Sequence, residues 1–139
     1  MPRAYGSGDG EVFVMGRRAE VLTMAGRNIF AEDVESITRD VGGQSVRACA
    51  AFRNTAVTGR FGLMVESDPK LVKDPEAAHD LARRIQSSVT ETLGTRLTPV
   101  LVVRLGTIPR TTSGKVQRAQ CRSITDLGEF GRRLIAQLA

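Results

Sequence analysis

The chain has no tryptophan, one tyrosine, one histidine, two cysteines and three lysines, and no long apolar run. Each shortage removes a class of function. A membrane-crossing helix takes roughly 18 or more consecutive apolar residues, and no stretch approaches that length. Met1 to Gly10 is small and polar, unlike a secretory signal peptide, so a cytoplasmic protein is expected. Cys49 and Cys121 sit far apart and in no metal-ligand spacing, so neither implies a metal site. Cys49 lies in the run Ala48-Cys49-Ala50-Ala51-Phe52, where a free thiol behaves as a small buried hydrophobe. His79 has no Cys, Asp or Ser constellation near it in sequence and reads as a solvated helix residue rather than a general base. Five Phe and one Tyr offer little for stacking on nucleic-acid bases.

What is present suits one folded domain. The 139 residues are 41% hydrophobic and 25% charged, enough apolar material for a core. The net charge is +5, and arginine supplies 17 of the 20 basic residues. A basic balance favours anionic partners, which include phosphates, nucleic acids and acidic carrier proteins. The arginines are scattered, however, and a GC-rich genome produces the same bias without a functional cause.

Residues 1–10 read as a flexible lead-in. Glu11–Met15 and Glu20–Met24 alternate like the two strands of a hairpin, and Gly26-Arg27-Asn28 reads as a turn. Val34, Ile37 and Val41 fall at helical spacing over residues 31–41, closed by Gly42-Gly43. Ser45–Phe52 and Gly59–Glu66 read as adjacent strands that pair antiparallel. A helix is expected from Pro75 to Leu93: Asp74 caps it, Pro75 suits its first position, and Gly94 ends it. A strand at Pro99–Leu105, a loop at 106–115 and helical segments from Val116 to Leu138, broken near Thr125-Asp126, complete the chain. The fold class is α+β: a small three-stranded sheet with packed helices plus an N-terminal two-stranded hairpin.

The loop Ile108-Pro109-Arg110-Thr111-Thr112-Ser113-Gly114-Lys115-Val116-Gln117-Arg118 carries the most information. Hydroxyls and a glycine before a lysine invite comparison with a phosphate loop. That motif requires glycine five positions before Gly114 and Ser or Thr after the lysine. Pro109 and Val116 occupy those places, so the phosphate loop is rejected. A flexible loop that presents one long ammonium side chain remains.

From Pro109 to Arg118 the string is similar to the signature that closes the adenylate-forming superfamily of acyl-CoA synthetases, nonribosomal peptide adenylation domains and fatty acyl-AMP ligases. The segment Gly16-Arg17-Arg18-Ala19-Glu20, continuing through Gly26-Arg27-Asn28 to Asp33-Val34-Glu35, resembles the family's hinge. Together the two segments and what lies between them cover residues 11–122, nearly the whole chain. The resemblance implies that residues 11–139 form the C-terminal lid domain of such a ligase, with a hinge near 17–20.

Site roles follow from the same resemblance. Lys115, preceded by Gly114, would contact the substrate carboxylate and ATP oxygens during adenylate formation. Arg17 would approach the nucleotide ribose, and Gly26, with Arg27 and Asn28, would form the turn that faces a phosphopantetheine tunnel after rotation. Ala19 stands where the family usually has Asp or Lys, so a side-chain contact holding one orientation is lost while backbone rotation is kept. Gly26-Arg27-Asn28-Ile29-Phe30 is more similar to the fatty acyl-AMP ligase branch, abundant in actinobacteria, than to the CoA ligases.

The implied substrates are ATP, with Mg²⁺, and a phosphopantetheine thiol on an acyl carrier protein of a polyketide or nonribosomal synthase, or on CoA. The acyl pocket, ATP loops and Mg²⁺ ligands of that family lie in a large N-terminal domain, so this segment alone is expected to be inactive. Asp33 and Glu35 read as acids that hold Arg27 or serve the helix N-terminus. The competing class is a stand-alone basic α+β module that binds nucleic acid or an acidic carrier protein. It lacks the clustered basic face and aromatics that nucleic-acid binding needs.

Overall fold

The computed structural model describes residues 21–24, 27–54, 56–57 and 59–138. Its elements run β1 (Val21–Met24), β2 (Arg27–Phe30), α1 (Ala31–Gly42), β3 (Val46–Arg53), β4 (Phe61–Ser67), α2 (Pro75–Leu93), β5 (Val100–Val103), α3 (Arg118–Leu127) and β6 (Leu134–Leu138). β1 and β2 pair as a separate antiparallel ribbon, and the main sheet has the order β3-β4-β5-β6. β3 and β4 are antiparallel, β4 and β5 parallel, and β5 and β6 antiparallel.

The α+β class stands, with two corrections. The strand over Val21–Met24 pairs with Arg27–Phe30, Val21 opposite Phe30 and Met24 opposite Arg27. Residues 11–15, expected as its partner, lie outside the described residues, as does the expected lead-in. Arg27 and Asn28 are therefore strand, not turn. Their polar, turn-favouring types lose to the adjacent strand, which is the nearest source of backbone partners.

The second correction is β6. Leu134–Leu138 was expected as helix because it continues a helical pattern. Instead α3 stops at Gly128, whose φ of 66° is the left-handed cap, and the chain turns back to cover the edge of β5. An uncovered strand edge leaves a row of unsatisfied N–H and C=O groups, and satisfying them outweighs local helical preference. The sheet therefore has four strands rather than three.

α2 forms as its sequence dictates. The Asp74 carboxylate accepts the Ala77 N–H at 3.1 Å, Pro75 occupies the first turn, and Gly94 closes the helix at φ 73°. Ala78, Leu81, Ala82, Ile85 and Val89 make its buried stripe. In α1 the buried positions are Ala31, Val34, Glu35 and Thr38, the same i, i+3, i+4, i+7 pattern with a carboxylate inside it.

The sheet separates two cores. On one face, α1 and α2 pack over Cys49, Ala51, Leu63, Val65, Val100 and Val102. On the other, Cys121 of α3, Ile108 and Phe130 cover Ala50, Phe52, Met64, Leu101 and Val103. β4 and β5, flanked on both sides, are buried along their whole length. Because these two strands are parallel, they end side by side, Glu66 beside Val103. The chain leaves the sheet there and forms the lysine loop.

Candidate functional site

The loop between β5 and α3 is a narrow hairpin. Arg110 and Val116 form an isolated antiparallel bridge, and the Gln117 N–H donates to the Pro109 carbonyl at 2.9 Å below it. Above the bridge the Thr111 N–H donates to the Lys115 carbonyl at 2.8 Å, and the Gly114 N–H to the Thr111 carbonyl at 2.9 Å. Gly114 has φ 89°, a conformation that β-carbon sterics disfavour for other residues, which is why glycine precedes the lysine. The Lys115 N–H donates to Thr111 Oγ1 at 3.2 Å, and the Thr111 and Ser113 hydroxyls lie 2.9 Å apart. Residues 111–115 are all exposed. The tip thus offers one ammonium and the three hydroxyls of Thr111, Thr112 and Ser113 to a ligand from outside.

Both feet of the hairpin are held by buried carboxylates. Glu66, at the end of β4 and 3% exposed, accepts the Ile108 N–H at 2.8 Å and contacts both Arg110 terminal nitrogens at 3.3 to 3.4 Å. Glu35, in α1 and 4% exposed, accepts from Arg118 Nε at 3.1 Å and Nη2 at 2.9 Å, and from the Ala51 N–H at 2.8 Å. Ala51 belongs to β3, an outer strand of the sheet, and Glu35 satisfies an amide on that open edge. The Glu35–Arg118 pair therefore joins α1 on one face of the sheet to α3 on the other.

Arginine suits both sites because its fork presents several N–H groups to one carboxylate. Each glutamate also takes a backbone N–H, so the buried charge has two kinds of partner. Among the described residues Lys115 has no ion-pair partner, whereas Arg110 and Arg118 on either side are neutralised. The loop's uncompensated charge is concentrated on one side chain.

Cys121 lies beneath this assembly. Burial pushes its thiol up to about 12, with smaller opposing effects from Arg118 and Arg110 and from Glu35 and Glu66. Both clamps therefore share its neighbourhood. Burial, with Glu35 second, pushes Cys49 up to about 11, and its Sγ lies 3.6 Å from the Glu35 carbonyl oxygen. Both cysteines are free, buried and protonated at neutral pH.

The structure brings together Gly114 and Lys115, while Asn28 is exposed in β2. Of Arg27 only the backbone in β2 is described. Arg17, Ala19 and Gly26 lie outside the described residues. Asp33 behaves as a helix-start acid, accepting the Phe30 N–H at 3.2 Å. Glu35 does not: it faces the core and pairs with Arg118. Glu35, Glu66 and Arg110 were missed as site residues, although a signal existed. A carboxylate at a core position of an amphipathic helix, and another in the otherwise apolar strand Phe61–Ser67, each demand a buried partner.

His79 is half-buried on α2, its Nδ1 2.9 Å from Arg83 Nη1 on the same helix. Among the described residues no three His, Cys, Asp or Glu side chains gather into one cluster. Nor, among them, is any helix long and apolar enough to cross a membrane.

No protein-family model matches the chain. Curated proteins do. The chain is 32% identical over 127 residues to a putative fatty-acid–CoA ligase, FadD25, of Mycobacterium tuberculosis, covering 89% of this chain and 21% of that protein. It is 32% identical over 116 residues to the long-chain-fatty-acid–AMP ligase FadD26 of Mycobacterium marinum, covering 81% of this chain and 20% of that protein. Among solved structures, the McyG A-PCP protein complexed with phenylalanyl-adenylate superposes with a TM-score of 0.65 at 22% identity, over 81% of this chain and 18% of that one. The fold is thus shared with part of the McyG A-PCP protein, and the chain spans about a fifth of the length of the curated relatives it matches.

Proposed function

We propose that this chain, similar over most of its length to mycobacterial fatty acyl ligases, is the mobile C-terminal domain of an ATP-dependent acyl ligase of the acyl-AMP branch. The domain covers residues 11–139, its hinge lies near 17–20, and Lys115 is the side chain it carries into the adenylation site. One observation carries the reading. Glu35 closes the hinge-like segment and Arg118 closes the lysine segment, and they meet at 2.9 Å although 83 residues separate them. The described end of the first stretch, at Glu35, is thus tied directly to the lysine segment.

In the reaction, a fatty acid carboxylate oxygen attacks the α-phosphorus of ATP. The bond to the bridging oxygen breaks, pyrophosphate leaves and an acyl-adenylate forms. Negative charge gathers on the α-phosphoryl oxygens as the new bond closes. Lys115 donates hydrogen bonds from a fixed positive charge to those oxygens, stabilising the transition state more than the ground state. The Thr111 and Ser113 hydroxyls beside it are further donors of the same kind.

A rotation about the hinge then exchanges the lysine loop for the Gly26 turn, with Arg17 at the ribose in one orientation. A phosphopantetheine thiol attacks the acyl carbonyl, its proton is released and AMP departs. A carrier protein is the favoured acceptor over CoA, given Gly26-Arg27-Asn28-Ile29-Phe30, and the enzyme works in the cytoplasm. Mg²⁺, when bound with ATP, offsets phosphate charge from ligands in the large domain.

Replacing Lys115 by Ala in the complete ligase should slow fatty-acid-dependent pyrophosphate release by about 10²- to 10³-fold, the usual effect of deleting one such donor. An unchanged rate would remove the assignment. The isolated chain should release no pyrophosphate from ATP and fatty acid.

A further inference from the structure

We infer that Glu35 and Glu66 are positioning residues for Lys115, setting the rate of adenylate formation through the two feet of its loop. The inference rests on the adenylation role proposed for Lys115 and extends it to residues that touch no substrate. Its starting point is where charge is buried. The chain places two carboxylates at 4% and 3% exposure, and both hold arginines of the same ten-residue loop neighbourhood.

The division of labour is specific. Glu66 fixes the ascending strand of the hairpin twice, through the Ile108 amide and the Arg110 guanidinium. Glu35 fixes the descending strand through Arg118, and is itself fixed by the Ala51 amide on the sheet edge. Among the described residues the tip between them has only its own hydrogen bonds, all within residues 111–115. Without the two clamps the hairpin could swing as a unit on its exposed side. A displacement of about 1 Å in a group that stabilises a transition state can lower the rate by roughly 100-fold. A structural purpose alone is a weak explanation for the pairs, because apolar residues of similar volume often serve a core as well as buried ion pairs.

The clamps are separable from the fold. The Arg110 and Arg118 side chains are 32% and 24% exposed, so removing a glutamate charge strands neither cation away from water. Glu35→Gln and Glu66→Gln keep an oxygen for the Ala51 and Ile108 amides while losing the ionic hold on the arginine.

The test compares Glu35→Gln, Glu66→Gln and Lys115→Ala in the complete ligase, with two partial reactions measured apart. Pyrophosphate release reports adenylate formation; transfer from supplied acyl-adenylate to a pantetheine thiol reports the second step. We expect each Gln variant to lower kcat for adenylate formation about 10- to 100-fold, with KM for ATP little changed and thiol transfer retained. Amide exchange over residues 111–117 should quicken while that of β4 and β5 stays as it was. Arg110→Gln and Arg118→Gln should lower adenylate formation likewise, with an added loss of stability because each leaves a buried carboxylate unpaired, and Arg118→Lys should restore part of both losses.

If both partial reactions fall together, with faster exchange in β4 and β5, the glutamates serve stability alone and the inference is overturned. If Lys115→Ala stops adenylate formation while all four Gln variants leave it unchanged, the positioning role falls and the Lys115 reading stands. If Lys115→Ala itself has no effect, that reading fails and the inference goes with it.

Discussion

On one face of the sheet α1 and α2 bury a large, nearly continuous apolar core around Leu63, Val65, Ile85 and Val102. On the other, α3 and the segment around Phe130 cover a smaller core. Glu66 stands on that second side, between Met64 and the loop, and Glu35 reaches round the sheet edge from the first. The difference teaches where each kind of interaction is used. Non-directional burial supplies stability where nothing has to be aimed. Directional, charged contacts appear where one side chain must be held in a fixed place while remaining exposed.

That contrast can be broken or sharpened by experiment. The largest stability effect belongs to the first face: Ile85→Ala, in the fully buried stripe of α2, should lower unfolding free energy by about 2–5 kcal/mol. Urea unfolding measures it, and amide exchange within residues 111–117, referenced to the same global stability, should keep its native pattern. A shift in that pattern would show that the two faces are not independent.

The second core should be sensitive in the opposite sense, to added volume. Gly62 pairs directly with Phe52 across β3 and β4, and a Cβ there would lie 2.6 Å from the Phe52 ring. Gly62→Ala should therefore destabilise by about 1–3 kcal/mol through overpacking. A neutral result would mean that the ring can move aside and that this core is loosely packed.

Alkaline titration compares the faces through their thiols, Cys49 in one core and Cys121 in the other. Both pKa values are raised from 9.0, to about 11 and about 12, burial being the main cause. The folded state keeps protons that the unfolded chain releases, so stability is full below about pH 9 and falls as pH rises toward 11 and 12. By pH 10 the loss should be roughly 1 kcal/mol per thiol, visible as a lower denaturation midpoint. Cys→Ala variants should flatten the dependence one step at a time.

The smallest effect belongs to a pair outside either core. Arg83 and Asp80, 2.6 Å apart on α2, are both more than half exposed, so Arg83→Ala should change stability by less than about 0.5 kcal/mol. Comparing this with the Arg118→Gln result separates a solvated ion pair from one whose carboxylate is buried.

Some of this was legible from residues alone. α2 is written in its apolar spacing, Asp74, Pro75 and Gly94, all of which act locally. The antiparallel pairing of β3 with β4 follows from two neighbouring apolar runs, and the lysine loop from the order of Ser113, Gly114 and Lys115. β2 and β6 were not legible. Arg27-Asn28 has turn composition, and Leu134–Leu138 continues the helical reading of the residues before it. Both became strands because an unpaired edge lay beside them.

By itself, then, the amino-acid order determined α1, α2 with both of its caps, the α+β class and the exposed lysine at a glycine turn, since each depends on residues a few positions apart. Only the tertiary structure decided which carboxylates hold that loop. Glu66 reaches Arg110 across 44 residues and Glu35 reaches Arg118 across 83. The physical reason is topological: two parallel strands end side by side and one sheet edge lies open, and a buried charge takes whatever cation the fold brings within reach.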